Sequence, residues 1–237
     1  MKIQNSVALV TGANRGLGRH LAAQLLQRGA TKVYAGARNP VSVDLPGVVP
    51  LQLDITDPAS VAKAADVASD VTLLINNAGV STHAGLANGD IADIRLEMET
   101  HFFGSLEVSR AFAPVLTSNG GGAVLNVLSV LSWAHYPGYG GYSAAKAAEW
   151  AMTNVLRQEL ASSGIDVTAL HVGYMDTDMA DYVDKSDKVD PAWVAGLALD
   201  GIESRALEVV ADDKSRNVRA ALSGGLDQLY PGLPVAS

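Results

Sequence analysis

The chain reads as an α/β protein: a doubly wound parallel sheet of about seven strands with helices on both faces, a three-layer sandwich. Three observations predict it. Short apolar runs alternate with helix-period patterns along almost the whole length, the signature of parallel strands joined by helical crossovers. The first run ends in a glycine-rich turn that opens a helix, Thr11-Gly12-Ala13-Asn14-Arg15-Gly16-Leu17-Gly18. No repeat, low-complexity tract or linker divides the 237 residues, so a single domain over 1–237 is expected.

The elements follow in order. Residues 7–10 form the first strand, and Leu17, Leu21, Leu25 and Leu26 set a helix to about residue 28. Strand two covers 32–37, and strand three covers 48–53 and is closed by Asp54. Asp57 before Pro58 is an N-cap with proline at the first helical position, opening a helix to about residue 69. Strand four covers 71–75 and runs into Asn76-Asn77-Ala78-Gly79. One long helix is expected over 91–116, with Pro114 near its end. Strand five covers 122–130, a helix 142–162, and strand six 166–172. Asp190-Pro191 repeats the cap and proline and opens a helix to about residue 204. Residues 207–211 read as strand seven and 213–222 as a polar helix. The tail 230–237, with two prolines, is expected to be an arm or partly disordered. The frame is Rossmann-like.

Composition narrows the function classes. Apolar residues make up 48% and charged residues 18%, which excludes wholesale disorder. The net charge of −8 argues against nucleic acid as a partner, because phosphate binding needs a basic surface. There is no cysteine, so disulfides and thiolate metal sites are excluded, in keeping with a reducing cytoplasm, the expected location. The first ten residues are too short in apolar length for a signal segment, and no apolar run approaches membrane-spanning length. No histidines and carboxylates stand at ligand spacing, so no metal is expected.

The stretch 129–146, S-V-L-S-W-A-H-Y-P-G-Y-G-G-Y-S-A-A-K, carries the chemistry. Tyr142 and Lys146 are four residues apart, so phenol and ammonium share one helix face. A free phenol titrates near pH 10, and an adjacent cation lowers that value toward neutrality. Ser129 can donate to a developing alkoxide. Proton transfer to or from a carbinol oxygen is indicated, with the hydride carried by something else.

The something else is read from the glycine turn. Gly12 permits the tight turn, Gly16 lets a pyrophosphate approach the backbone, and Gly18 allows close helix–strand packing, with Asn14 and Leu17 completing the contact surface. Arg38 closes strand two, where an acid would take a ribose 2′-hydroxyl, and no acid lies between residues 32 and 43. Arg15 lies near the same point. Two guanidinium groups suit a 2′-phosphate, so NADPH is expected in preference to NADH. Asp54, followed by Ile55, can accept from the adenine amino group. Asn77, Ala78 and Gly79 after strand four, and Gly173, Met175 and Thr177 after strand six, stand at strand carboxyl ends, where such ligands lie.

These motifs in this order resemble the short-chain dehydrogenase/reductase family in its single-domain, NADP-preferring, carbonyl reductase-like branch. The resemblance spans roughly residues 6–211. It rests on Thr11, Gly12, Gly16 and Gly18; Asn76, Asn77, Ala78 and Gly79; Ser129, Tyr142 and Lys146; and Thr177. It implies that nicotinamide gives a hydride to a carbonyl carbon while Tyr142 gives its proton to the oxygen. Ser129 would hold the carbonyl, and Lys146 would bind the nicotinamide ribose and lower the tyrosine pKa. Thr11 and Thr177 would touch the cofactor. Two departures stand out. His101, in T-H-F-F-G, takes the place of an asparagine at a helix kink, either leaving a backbone carbonyl for a water or itself shuttling protons. Val172 replaces a proline before glycine. The resemblance also implies a homodimer or homotetramer, paired through the helices over 91–116 and 142–162.

Trp133, His135, Tyr136, Tyr139, Tyr174, Met175, Met179, Tyr182 and Trp193 flank the catalytic stretch or follow strand six. They are expected to wall a pocket for a small-molecule carbonyl or alcohol, a bulky apolar or aryl ketone. The charged stretch 176–190 is read as a segment closing over it. Two other readings compete: an enoyl reductase using Tyr139 and Lys146, and a non-catalytic NADP(H) sensor.

Overall fold

The structure, a computed structural model, describes residues 1–232. Val7–Thr11 (β1) is an inner strand of a seven-stranded sheet with order β3-β2-β1-β4-β5-β6-β7, every neighbour parallel. The other strands are Lys32–Ala37 (β2), Val49–Gln52 (β3), Leu73–Asn76 (β4), Gly122–Val127 (β5), Ile165–His171 (β6) and Glu208–Val210 (β7). All-parallel strands are covered on both faces, which is why β4 is buried along its whole length and reads as an apolar run rather than an alternation.

The helices are Gly16–Gln27 (α1), Pro58–Val67 (α2), Ile91–Met98 (α3), Ser105–Ser118 (α4), Gly140–Glu159 (α5), Pro191–Ser204 (α6), Asp213–Ala221 (α7) and Leu226–Leu229 (α8). On one face, Leu17, Leu21 and Leu25 of α1 pack with Val194, Ala198 and Ile202 of α6. On the other, Val61 of α2 and Val108, Phe112 and Leu116 of α4 cover Leu9, Leu74 and Val124. Each of the valine, leucine, isoleucine and phenylalanine side chains contributes about 1.5–3 kcal/mol by leaving water. The N-caps foreseen at Asp57 and Asp190 form, each carboxylate accepting the backbone N–H two residues on. Strand order reverses between β1 and β4, and ligands of open parallel sheets lie at that switch.

The single helix expected over 91–116 is in fact α3 and α4 joined by a π-helical segment, Glu99–Gly104. It is a local i→i+5 widening inside an α-helical run, and it falls at the kink that the resemblance implied around His101. Gly104 packs closely where this segment meets Ile55: a Cβ there would lie 3.0 Å from that side chain, which would have to give by a few tenths of an ångström. Strand five stops at Val127, short of the expected residue 130. Ser129 instead caps a 3₁₀ turn, Val130–Ser132, accepting from Leu131 N at 3.1 Å. The turn is as buried as a strand, which explains the overreach. α8 falls just before the expected tail; residues 233–237 lie outside the described residues. Among the described residues, no helix is long and apolar enough to cross a membrane, and no three His, Asp or Glu side chains gather as a metal site.

Candidate active site

A cleft of about 780 Å³ runs along the carboxyl edge of the sheet, within the usual range for ligand sites. One end is made of backbone. Gly12, Asn14, Arg15, Gly16, Leu17 and Gly18 line it. A Cβ on Gly18 would sit 2.3 Å from Gly12 O and 2.5 Å from Asn77 Nδ2, so only glycine fits. Gly12 and Gly16 hold φ of +66° and +53°, where glycine is favoured. The first turn of α1 has neither a side-chain cap nor an acid. Its free N–H groups therefore suit a phosphate. The cradle fits a dinucleotide.

Arg38, Asp54 and Ile55 form the wall beyond β2 and β3, Asn77, Ala78 and Gly79 that beyond β4, and Gly173, Met175 and Thr177 that beyond β6. Arg15 and Arg38 are both exposed on this wall, and Arg15 also approaches Asp178 at 3.4 Å. That exposed pair contributes at most about 1 kcal/mol. Asp54 Oδ1 is engaged by Thr56 N at 3.0 Å and Thr56 Oγ1 at 2.7 Å. Thr11 departs from the expectation: it is buried outside the cleft lining, and its Oγ1 accepts from Asn77 N at 2.9 Å and Ala78 N at 3.0 Å. It braces β1 against the turn after β4. Asn76 likewise ties strands and helix together, donating to Asn126 Oδ1 and Ser109 Oγ.

The other end is made of side chains. Tyr142 and Lys146 stand one turn apart on α5, with Lys146 Nζ 5.9 Å from the centre of the phenol ring. Ser129 follows β5, and its hydroxyl faces the phenol and favours the ionised form. His101, in the π-helical segment, meets the Tyr142 ring edge-on at 5.0 Å. Its Nε2 lies 2.7 Å from Val80 O, to which a protonated Nε2 donates, leaving Nδ1 buried and without a partner among the described residues. Burial, aided by the Lys146 charge, holds His101 well below the ordinary histidine value, so the ring is neutral. Gly79 is needed beside it, as a Cβ would lie 2.7 Å from His101 Cε1.

The expected lowering of Tyr142 by Lys146 is present but does not prevail. Burial pushes the phenol above its usual 10; Lys146 and Ser129 pull it down, while Glu149 and Glu97 push it further up. The two glutamates escaped the sequence reading. Glu149 accepts from Lys146 Nζ at 2.7 Å and Ser105 Oγ at 3.0 Å, and Glu97 accepts from Thr82 N at 2.7 Å. The signal for Glu149 was there: it follows Lys146 by three residues and Tyr142 by seven, on the same helix face.

At the mouth, Tyr136, Tyr139, Tyr174, Met175, Met179 and Tyr182 line the cleft. Tyr174 donates to Tyr139 and Tyr139 to Tyr182, each at 3.3 Å, so the Tyr139 hydroxyl is turned to the other phenols. Burial and the Tyr139 contact push Tyr174 to about 12. His83, unforeseen, packs edge-on to Tyr139 and Tyr182. Three expected pocket residues lie elsewhere. Trp133 is 2% exposed and stacks on His171 at 3.6 Å, in the core behind Ser129. His135 contacts the Tyr230 hydroxyl, and Trp193 sits on the outer surface of α6, neither lining the cleft.

The short chain dehydrogenase family profile matches residues 6–188. A short chain dehydrogenase from Burkholderia cenocepacia, solved in complex with NADP, is 40% identical, with all of each chain covered and a TM-score of 0.94. An NADPH-bound carbonyl reductase from chicken fatty liver is 26% identical over 84% of this chain and 91% of its own, with a TM-score of 0.77. The ketoacyl reductase HetN of Nostoc is 27% identical over 89% of this chain and 79% of its own. With that profile spanning most of the chain and its motifs gathered along one cleft, this protein belongs to the short-chain dehydrogenase family of oxidoreductases.

Proposed function

We propose that the protein catalyses reversible, NADP(H)-dependent hydride transfer between nicotinamide and a ketone or secondary alcohol. The observation that carries this is the meeting of Ser129, Tyr142 and Lys146 at one end of a cleft whose other end is a glycine cradle flanked by Arg15 and Arg38. The cradle and the α1 N-terminus would hold the pyrophosphate, the two arginines the 2′-phosphate, and Asp54 the adenine. Thr177, Gly173 and Met175 would bound the nicotinamide side. The NADP complex of the 40%-identical relative supports the cofactor, and the arginines support NADPH over NADH.

When bound, NADPH supplies the hydride to the carbonyl carbon. Tyr142 gives its phenolic proton to the carbonyl oxygen, and Ser129 donates a hydrogen bond to the same oxygen. Lys146, two of whose N–H groups are taken by Val127 O and Glu149, has one left for the ribose. A raised phenol keeps its proton near neutral pH, as donation to a ketone oxygen requires. The phenol and thioether lining of the mouth suits a bulky apolar or aryl ketone. A cytoplasmic homodimer or homotetramer fits the cysteine-free chain and the exposed Phe103 and Val155 on the π-helical segment and α5.

Loss of NADPH absorbance with cyclic and aryl ketones, beside NADH and the Tyr142→Phe variant, tests this. Tyrosine-dependent turnover with NADPH preferred is expected. Tight NADPH binding with no turnover on any carbonyl would overturn it in favour of a sensor.

A further inference from the structure

Lys146 is not a free cation. Both it and Glu149 are buried, 4% and 1% exposed, and joined at 2.7 Å. Glu149 lies on the face of α5 that meets the start of α4, where Ser105 donates to its second oxygen. An ion pair buried this deeply seldom adds stability over an apolar pair of the same volume. Hydride and proton transfer as proposed above make no use of a carboxylate here.

We propose that Glu149 is a positioning residue for the reaction: anchored by Ser105, it fixes the Lys146 ammonium with one proton left for the cleft, and its negative charge offsets that ammonium's pull on Tyr142. The phenol is thereby kept in its proton-donating form. This rests on Tyr142 being the acid/base group. The groups that face the phenol come from four elements. Lys146 and Glu149 stand on α5, Glu97 on α3, His101 on the π-helical segment, and Ser129 after β5. His101 is neutral, and Glu97 is held by the Thr82 N–H rather than by a cation. Among these, Glu149 alone is bonded directly to the ammonium. It therefore sets how much of the Lys146 charge reaches Tyr142. Proton donation to a ketone then persists to higher pH than an unpaired lysine would allow, and alcohol oxidation requires alkaline conditions.

The test reads Tyr142 directly. Protein labelled with carbon-13 at tyrosine Cζ is titrated by NMR as wild type, Glu149→Gln and Glu149→Asp, with the Tyr142→Phe form identifying the signal. Glu149→Gln should lower the Tyr142 pKa by about one unit, tenfold in ionisation constant, and Glu149→Asp should restore most of it. NADPH binding, followed by fluorescence, should weaken severalfold in Glu149→Gln and recover in Glu149→Asp. Ser105→Ala, which removes only the anchor, should move the phenol the same way by less, and serves if Glu149→Gln does not fold. A Tyr142 titration unchanged in whichever of these variants folds, with only thermal stability lost, would overturn the proposal. Turnover retained by Tyr142→Phe would instead remove the reaction scheme, a separate outcome from the titration.

Discussion

The two ends of the cleft are built in different ways. At the cofactor end the ligand surface is backbone: glycines with no room for a Cβ, helix N–H groups, and a turn braced by Thr11 and Asn77. At the catalytic end it is side chains drawn from α3, the π-helical segment, β5 and α5, several of them buried and charged or polar. A backbone surface tolerates few substitutions but carries no internal charge balance. A buried side-chain surface depends on every charge finding its partner, so damage there propagates.

The largest expected effect follows from that difference. Lys146→Met would strand the Glu149 carboxylate in the interior, costing about 3–5 kcal/mol in denaturant unfolding along with turnover. Adding Glu149→Leu should recover most of the stability and none of the activity. A single variant as stable as wild type would show that the pair is not truly buried.

Next is pH. His171 lies behind Ser129, and burial lowers it from 6.5 to about 4. The folded protein binds this proton more weakly than the unfolded chain. Its contribution is therefore complete above about pH 6.5 and is lost as pH falls toward 4, a change of about 3 kcal/mol. Thermal unfolding at stepped pH should show the fall, and His171→Asn should flatten it.

At the cofactor end the effects are smaller and selective. Arg15→Ala and Arg38→Ala should each weaken NADPH by about tenfold or more while leaving NADH within about twofold, as expected for charge-assisted contacts to one phosphate. Equal loss for both cofactors would mean the arginines act on the fold. Smallest of all, Tyr139→Phe breaks the phenol chain at the mouth and should change KM by about threefold with kcat unchanged.

The same contrast explains what could be read from the chain. Strand–turn–helix at residues 7–28, the capped prolines and the parallel order are local or periodic, and they appear where expected. Tyr142, Lys146 and Ser129 were legible as a spaced motif. The widened turn at Glu99–Gly104 was legible only through the resemblance, as a kink at His101, and not from the apolar pattern of the chain itself. Trp133 could not be told from a pocket aromatic, since only the fold puts His171 beneath it. Glu149 escaped notice because only the fold lays the start of α4, with Ser105, against it.

The most direct measurement compares Tyr142→Phe with wild type for NADPH binding by fluorescence and ketone-dependent NADPH oxidation in the same buffer. Binding within about threefold and turnover reduced by about 10³-fold, the scale of a lost general acid, are expected. Undiminished turnover in the phenylalanine variant would contradict Tyr142 as that acid.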